Sequence, residues 1–117
     1  MKVNKDNAAL RDFIRHHSNS CNFIFMKSTD ADLRDYKETH EYFTRIAPTY
    51  VIHLAAMVGG LYANMAKKVQ FFEDNVHINM NVIKACYEVK VKRMLCVLST
   101  CIFPDKIEYP ISEQDLQ

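Results

Sequence analysis

Three short, unbroken apolar runs set the terms for this chain: Phe23-Ile24-Phe25-Met26, Tyr50-Val51-Ile52-His53-Leu54 and Met94-Leu95-Cys96-Val97-Leu98. None alternates apolar with polar side chains, so each reads as a strand covered on both faces. Segments of helical spacing separate them. Ala9, Leu10, Phe13 and Ile14 mark one helix face between about Asp6 and His17. Tyr36, Phe43 and Ile46 mark a second, opened by Asp35 and Glu38 as a capping box and stopped by Pro48. Val69, Phe72, Val76, Met80, Ile83 and Tyr87 step along a third, of roughly twenty residues.

The order α-β-α-β-α-β predicts an α/β fold with a parallel sheet and right-handed crossovers. In such sheets ligands bind at the carboxyl ends of the strands, which fall at Lys27-Ser28, Ala55-Ala56 and Ser99-Thr100. The polar tail from Asp105 to Gln117, with Pro110 in it, reads as loop. At 117 residues the chain is one small domain or part of a larger one. Hydrophobic residues at 49% and charged residues at 25% exclude an intrinsically disordered composition. A formal charge of +1 gives no reason to expect nucleic acid as a partner. No apolar run approaches the roughly 18 residues of a membrane helix, so no membrane association is expected. The four cysteines lack C-x-x-C spacing and no signal peptide precedes them, which points to reduced thiols and a cytoplasmic protein. Cys21, Cys86 and Cys96 read as small buried hydrophobes. His53 reads as a hydrogen-bonded core histidine, and no His or Cys pair has the spacing of a metal site.

Only two glycines are present, adjacent at Gly59-Gly60, where average usage of about 7% would give roughly eight. Neither a G-x-G-x-x-G nor a G-x-x-x-x-G-K phosphate loop can be written with them.

The strand-end motifs nonetheless form a series: Asp32-Leu33 after the first run, His53-Leu54-Ala55-Ala56 ending the second, and Ser99-Thr100-Cys101 ending the third. The series resembles the extended short-chain dehydrogenase/reductase family, the nucleotide-sugar epimerases and dehydratases. Within it, the stretches HLAAMVGGLYANM and LSTCIFPDK, with YPI close behind, resemble members that convert GDP-4-keto-6-deoxy-D-mannose to GDP-L-fucose by 3,5-epimerisation and 4-reduction. The resemblance covers about Phe23 to Glu113. It implies a partial Rossmann-like, doubly wound parallel sheet with helices on both faces, NADP as cofactor, and a homodimer. It also implies residue roles. Asp32 accepts a hydrogen bond from the adenine amino group, and the Leu33 backbone borders that ring. Leu54, Ala55, Ala56 and Met57 line the ribose and diphosphate, Asn75 reaches the cofactor from the long helix, and Val97, Leu98, Ser99 and Thr100 pass beneath the nicotinamide. Ser99 is the implied catalytic hydroxyl at the 4-keto oxygen, and Cys101 the thiol that moves protons at C3 and C5. Lys27 and Ser28 replace the acidic residue of NAD-preferring sites, and a cation with a hydroxyl suits a 2′-phosphate better.

Two family features are missing from these 117 residues. One is the first strand with its glycine loop, whose N–H groups hold the diphosphate, so NADP binding by these residues is expected to be impaired. The other is the Tyr-x-x-x-Lys pair, since the six tyrosines are followed four residues on by His40, Ile46, Leu54, Ala66, Val91 and Glu113. The three runs match the second, fourth and fifth strands of the family's 3-2-1-4-5-6 order. The expectation is an incomplete copy, without the carboxyl-terminal substrate domain and inactive alone. The alternative is a short non-catalytic module that pairs with full-length subunits.

Overall fold

The computed structural model describes residues 16, 21–99, 102–104, 111–112 and 114. Most of the expected first helix, Thr100, Cys101 and most of the tail lie outside the described residues. The elements in chain order are α1 (Tyr36–Ile46), β1 (Tyr50–His53), α2 (Leu61–Ala66), α3 (Lys68–Glu88) and β2 (Arg93–Cys96). The two strands pair in parallel, with Tyr50 opposite Arg93 and His53 opposite Cys96. Lys92 N–H donates to the Thr49 carbonyl at 2.9 Å and Val97 N–H to that of His53 at 3.2 Å, carrying the ladder past both ends. Parallel neighbours need a long crossover, and α2 with α3 supplies it.

Local chemistry sets the helix ends. The Asp35 carboxylate accepts the Glu38 N–H at 2.9 Å, as an N-cap should. Glu38 in return takes the Asp32 N–H at 2.8 Å rather than that of Asp35, so the box closes on the preceding loop. At the other end Ala47 turns left-handed, with φ at 45°, and its N–H bonds the Phe43 carbonyl at 2.8 Å. Helix α3 ends in a Schellman turn: Val91 N–H reaches the Cys86 carbonyl at 2.9 Å and Lys90 N–H that of Tyr87 at 3.2 Å, with Lys90 at φ 61°.

The core lies between the two long helices and one face of the strand pair. Ala31, Tyr42, Phe43, Val82, Ala85 and Cys86 form it, with Val51 and Met94 packed on from the sheet. Beside it, Lys84 Nζ sits 4.0 Å over the Tyr36 ring, while Tyr36 and His40 both bond Glu88, tying α1 to α3. The opposite face of the sheet, with Tyr50, Ile52 and Leu95, is exposed.

Three expectations change. The run Phe23–Met26 is extended but adds no strand to the ladder. A strand needs a neighbour, and in the expected order a central strand separates this run from β1; among the described residues nothing fills that place. Second, the stripe from Val69 to Tyr87 is not the buried face of α3. Phe72, Met80 and Tyr87 are 71%, 63% and 75% exposed, while Ile78, Val82, Ala85 and Cys86 are buried. A helix apolar on two sides belongs to the middle of a layered protein, and periodicity alone does not say which side these residues cover. Third, Cys21 is exposed and Cys96 only partly buried, leaving Cys86 as the buried cysteine of the three. Helix α2, which buries no residue, adds an element to which the sequence reading assigns no structure.

The Ala47 geometry gives a direct test. A β-carbon in the left-handed region costs on the order of 1 kcal/mol, and Ala47 is exposed, so glycine removes that strain without opening a cavity. Ala47→Gly should stabilise the chain by about 1 kcal/mol, read as a rise in melting temperature by circular dichroism.

Candidate functional site

Because β1 and β2 run parallel, the loops that follow them leave from the same edge of the sheet. Leu54, Ala55 and Ala56 are exposed there beside Val97, Leu98 and Ser99. Ser99 is therefore placed at the strand end, as its motif predicts, and its carbonyl accepts the Ile102 N–H at 3.4 Å.

Helix α3 organises this edge through a row of side-chain amides. Asn75 brackets Met57: its Oδ1 accepts the Met57 N–H at 2.8 Å, and its Nδ2 donates to the Met57 carbonyl at 3.0 Å and the Phe71 carbonyl at 2.7 Å. Both amide hydrogens are used, and one Oδ1 lone pair is left. One turn on, Asn79 donates to the Asn75 carbonyl at 2.7 Å, so its Oδ1 is the atom facing His53 at 3.1 Å. His53 Nε2 must then carry the hydrogen, with Cys96 Sγ 4.0 Å from the same oxygen. Asn81 sends both hydrogens to the Leu33 and Arg34 carbonyls, each at 2.9 Å.

The Asp32 loop is thus fixed to α3 by Asn81, and charge adds to it. Arg34 grips Asp32 with Nε at 2.9 Å from Oδ1 and Nη2 at 2.7 Å from Oδ2. The Arg34 side chain, then its backbone N–H, hold the Asp32 carboxyl below the usual carboxylate range. Arg34 Nη1 also lies 3.6 Å from Asp74 of α3. Sequence reasoning missed Asn79, Asn81, Arg34 and Asp74, since nothing in their spacing distinguishes a pinning amide from a solvated one.

Burial also identifies His53 as the core histidine expected. It is 5% exposed, and burial pushes its imidazole below the ordinary value, against a smaller opposing effect of the Asn79 bond. Among the described residues no group of three or more His, Cys, Asp and Glu could hold a metal ion. Nor is any helix there long and apolar enough to cross a membrane. An open groove of about 790 Å³ runs along α2 and α3, lined by Met65, Phe71, Phe72, Val76 and Met80; Asn75 is the one expected site residue on it. Gly59 closes the loop against Phe71, whose ring tip would stand 2.8 Å from an added β-carbon.

Parallel strands joined by a helical crossover, with small residues bare at their carboxyl ends, define a nucleotide-binding type of α/β unit. The comparison with known proteins makes the class specific: residues 3–117 match the model of the NAD dependent epimerase/dehydratase family, and the chain belongs to that family. It is 54% identical over 91 residues to a GDP-L-fucose synthase of Dictyostelium discoideum, and 48% identical over 91 residues to a probable GDP-L-fucose synthase of Drosophila melanogaster. Each match takes in 78% of this chain and 28% of the relative, so the chain spans under a third of their length. A crystal structure of a GDP-L-fucose synthetase from Naegleria fowleri bound to NADP superposes with a TM-score of 0.77 at 47% identity, over 92% of this chain and 34% of that one. The fold is a partial Rossmann-like α/β unit.

His53 yields a pH prediction. The unfolded histidine takes up a proton near its ordinary value of 6.5, which the buried one resists. The stability this contributes is present above that value and is lost as pH falls through the lowered folded value. Melting curves taken from about pH 7.5 down to about pH 5 should show a falling melting temperature, with a shallower fall in His53→Gln.

Proposed function

We propose that this chain is the cofactor-facing part of an NADP-dependent epimerase-reductase that converts GDP-4-keto-6-deoxy-D-mannose to GDP-L-fucose. The observation that carries the reading is the anchoring of two expected cofactor loops, at Asp32-Leu33 and Met57, to one helix beside the strand end that holds Ser99. The residues present suit a dinucleotide. Ala55 and Ala56 offer exposed backbone with minimal side chain, and Asp32 remains an ionised acceptor for the adenine amino group. Leu33, Leu54, Met57, Val97, Leu98 and Thr100 complete the cofactor surface in this reading, and Asn75 keeps one acceptor lone pair for it.

NADPH supplies a hydride for C4 of the sugar. Ser99 hydrogen-bonds the 4-keto oxygen while that carbonyl is reduced. The protons at C3 and C5 lie next to the carbonyl, so their removal leaves an enolate; Cys101 as thiolate takes such a proton, and a second acid on the opposite face protonates the enolate carbon to give the inverted centre. The general acid worth about 10²–10⁴-fold would come from a Tyr-x-x-x-Lys pair, which these 117 residues lack, and they also lack a glycine loop for the diphosphate. The chain alone is therefore inactive. A non-catalytic module would have no use for Asp32, Ser99 and Cys101 together, which favours the enzyme reading. The exposed stripe on α3 supports the family's homodimer, and thiols without disulfides at Cys86 and Cys96 support the cytoplasm.

Circular dichroism melts with and without about millimolar NADPH test cofactor binding. A cooperative transition raised by NADPH is expected, together with no turnover of the GDP-keto sugar. Turnover by the chain alone would overturn the role given to the missing tyrosine, and a melt unmoved by NADPH would remove the cofactor reading for this chain.

A further inference from the structure

We propose that Arg34 is the positioning residue that makes Asp32 a reader of adenine; the proposal rests on the reading that Asp32 meets the adenine amino group. A carboxylate has about four acceptor directions and, on a loop, turns freely. Here three are taken by one residue. Oδ1 accepts both the Arg34 backbone N–H and its Nε–H, each at 2.9 Å, and Oδ2 accepts Nη2–H at 2.7 Å. Nε also shares its hydrogen with Oδ2 at 3.2 Å, so the fork fixes the carboxylate plane and leaves open for a further donor the direction on Oδ2 that points away from the guanidinium. The guanidinium is itself tethered: Nη1 faces Asp74 of α3 at 3.6 Å, and the Asp74 oxygen it faces is buried with no hydrogen bond among the described residues. Asn81 holds the Arg34 carbonyl from the same helix at 2.9 Å. Backbone and side chain of Arg34 are thereby referred to α3, the helix that also sets Met57 through Asn75.

A single oriented acceptor discriminates bases. Adenine presents an amino donor at its six-position, whereas hypoxanthine presents a carbonyl oxygen that a carboxylate repels. An untethered carboxylate can turn aside and accept either base with similar cost.

The test uses the 117-residue chain and two probes that need no diphosphate loop, adenosine 2′-monophosphate and inosine 2′-monophosphate, titrated by NMR. The wild-type chain should prefer adenine by about 10-fold or more, the range of one hydrogen bond to a charged group. Arg34→Ala should reduce that preference to less than about 3-fold, with a cooperative melt kept and the amide pattern of α3 changed only around Asp74. Arg34→Lys, which cannot form the fork, should fail to restore it. Preference kept in Arg34→Ala overturns the proposal while leaving the Asp32 reading intact. If the wild-type chain binds both probes equally, or neither, the Asp32 reading itself falls and the proposal falls with it. Arg34 is exposed on a loop, and the Lys variant serves if the Ala variant does not fold.

Discussion

The side-chain amides of α3 hold the ligand edge of this molecule together. A loop that leaves a parallel strand has no ladder to satisfy its backbone, and each unpaired group that is shielded from water costs about 1–3 kcal/mol. Asn75 answers that need for both polar groups of Met57, and Asn81 does so for the carbonyls of Leu33 and Arg34. Asn79 fixes the tautomer of His53 where β1 ends. Asn75 and Asn79 lie one turn apart and Asn81 two residues further, so three separate segments take their positions from one rigid element. The cost of asparagine in a helix interior is offset because each amide finds a fixed partner.

How much of this the sequence disclosed follows from the physics of each signal. Continuous apolar runs identified β1 and β2 by composition, but the cover they predict on both faces is present on one only, since Tyr50, Ile52 and Leu95 are exposed among the described residues. Asp35 as helix cap and Pro48 as stop act over a few residues, so local sequence suffices to read them. The segment Phe23–Met26 carries the same mark and still forms no strand in the described structure, because pairing depends on a neighbour and not on the run itself. The α3 stripe shows a related gap: the spacing is helical and correct, but both sides of the helix are apolar, and which side packs inward is decided by α1 and the sheet. The position of Ser99 after the end of β2 was legible from its motif. Arg34, Asn79 and Asn81 were not, because an amide or a guanidinium declares its partner only when the chain has folded.

The uncovered surfaces have a common logic. Ile52 and Leu95 on the far side of the sheet and Phe72, Met80 and Tyr87 on α3 are all more than half exposed. Burying a large apolar side chain contributes about 1.5–3 kcal/mol relative to leaving it in water. A sheet with one helical layer and an apolar second face has the composition of a three-layer protein with two layers described, while the exposed α3 stripe is the surface that the proposed reading gives to the homodimer. The chain spans under a third of the curated relatives it matches, and their remaining length is ample to furnish such a layer.

The proposed division of labour within the site has an energetic consequence. In the proposed reading adenine is recognised at Asp32, in the loop before α1, while Ser99, which meets the sugar, follows β2. Their relative position is transmitted through α3, which is bonded to the Asp32 loop by Asn81 and to the Met57 loop by Asn75, and which packs its buried residues on the sheet that carries Ser99. A helix shift of even a fraction of an ångström would carry both cofactor loops together while leaving the end of β2 behind. Hydride transfer requires reacting atoms at about 3–3.5 Å, so the geometry that matters is set less by either loop than by how α3 seats through Ile78, Val82, Ala85 and Cys86. Close packing at Val82 and Ala85, which are 1% and 0% exposed, makes that seat stiff, because a core near crystal density has no slack for the helix to slide.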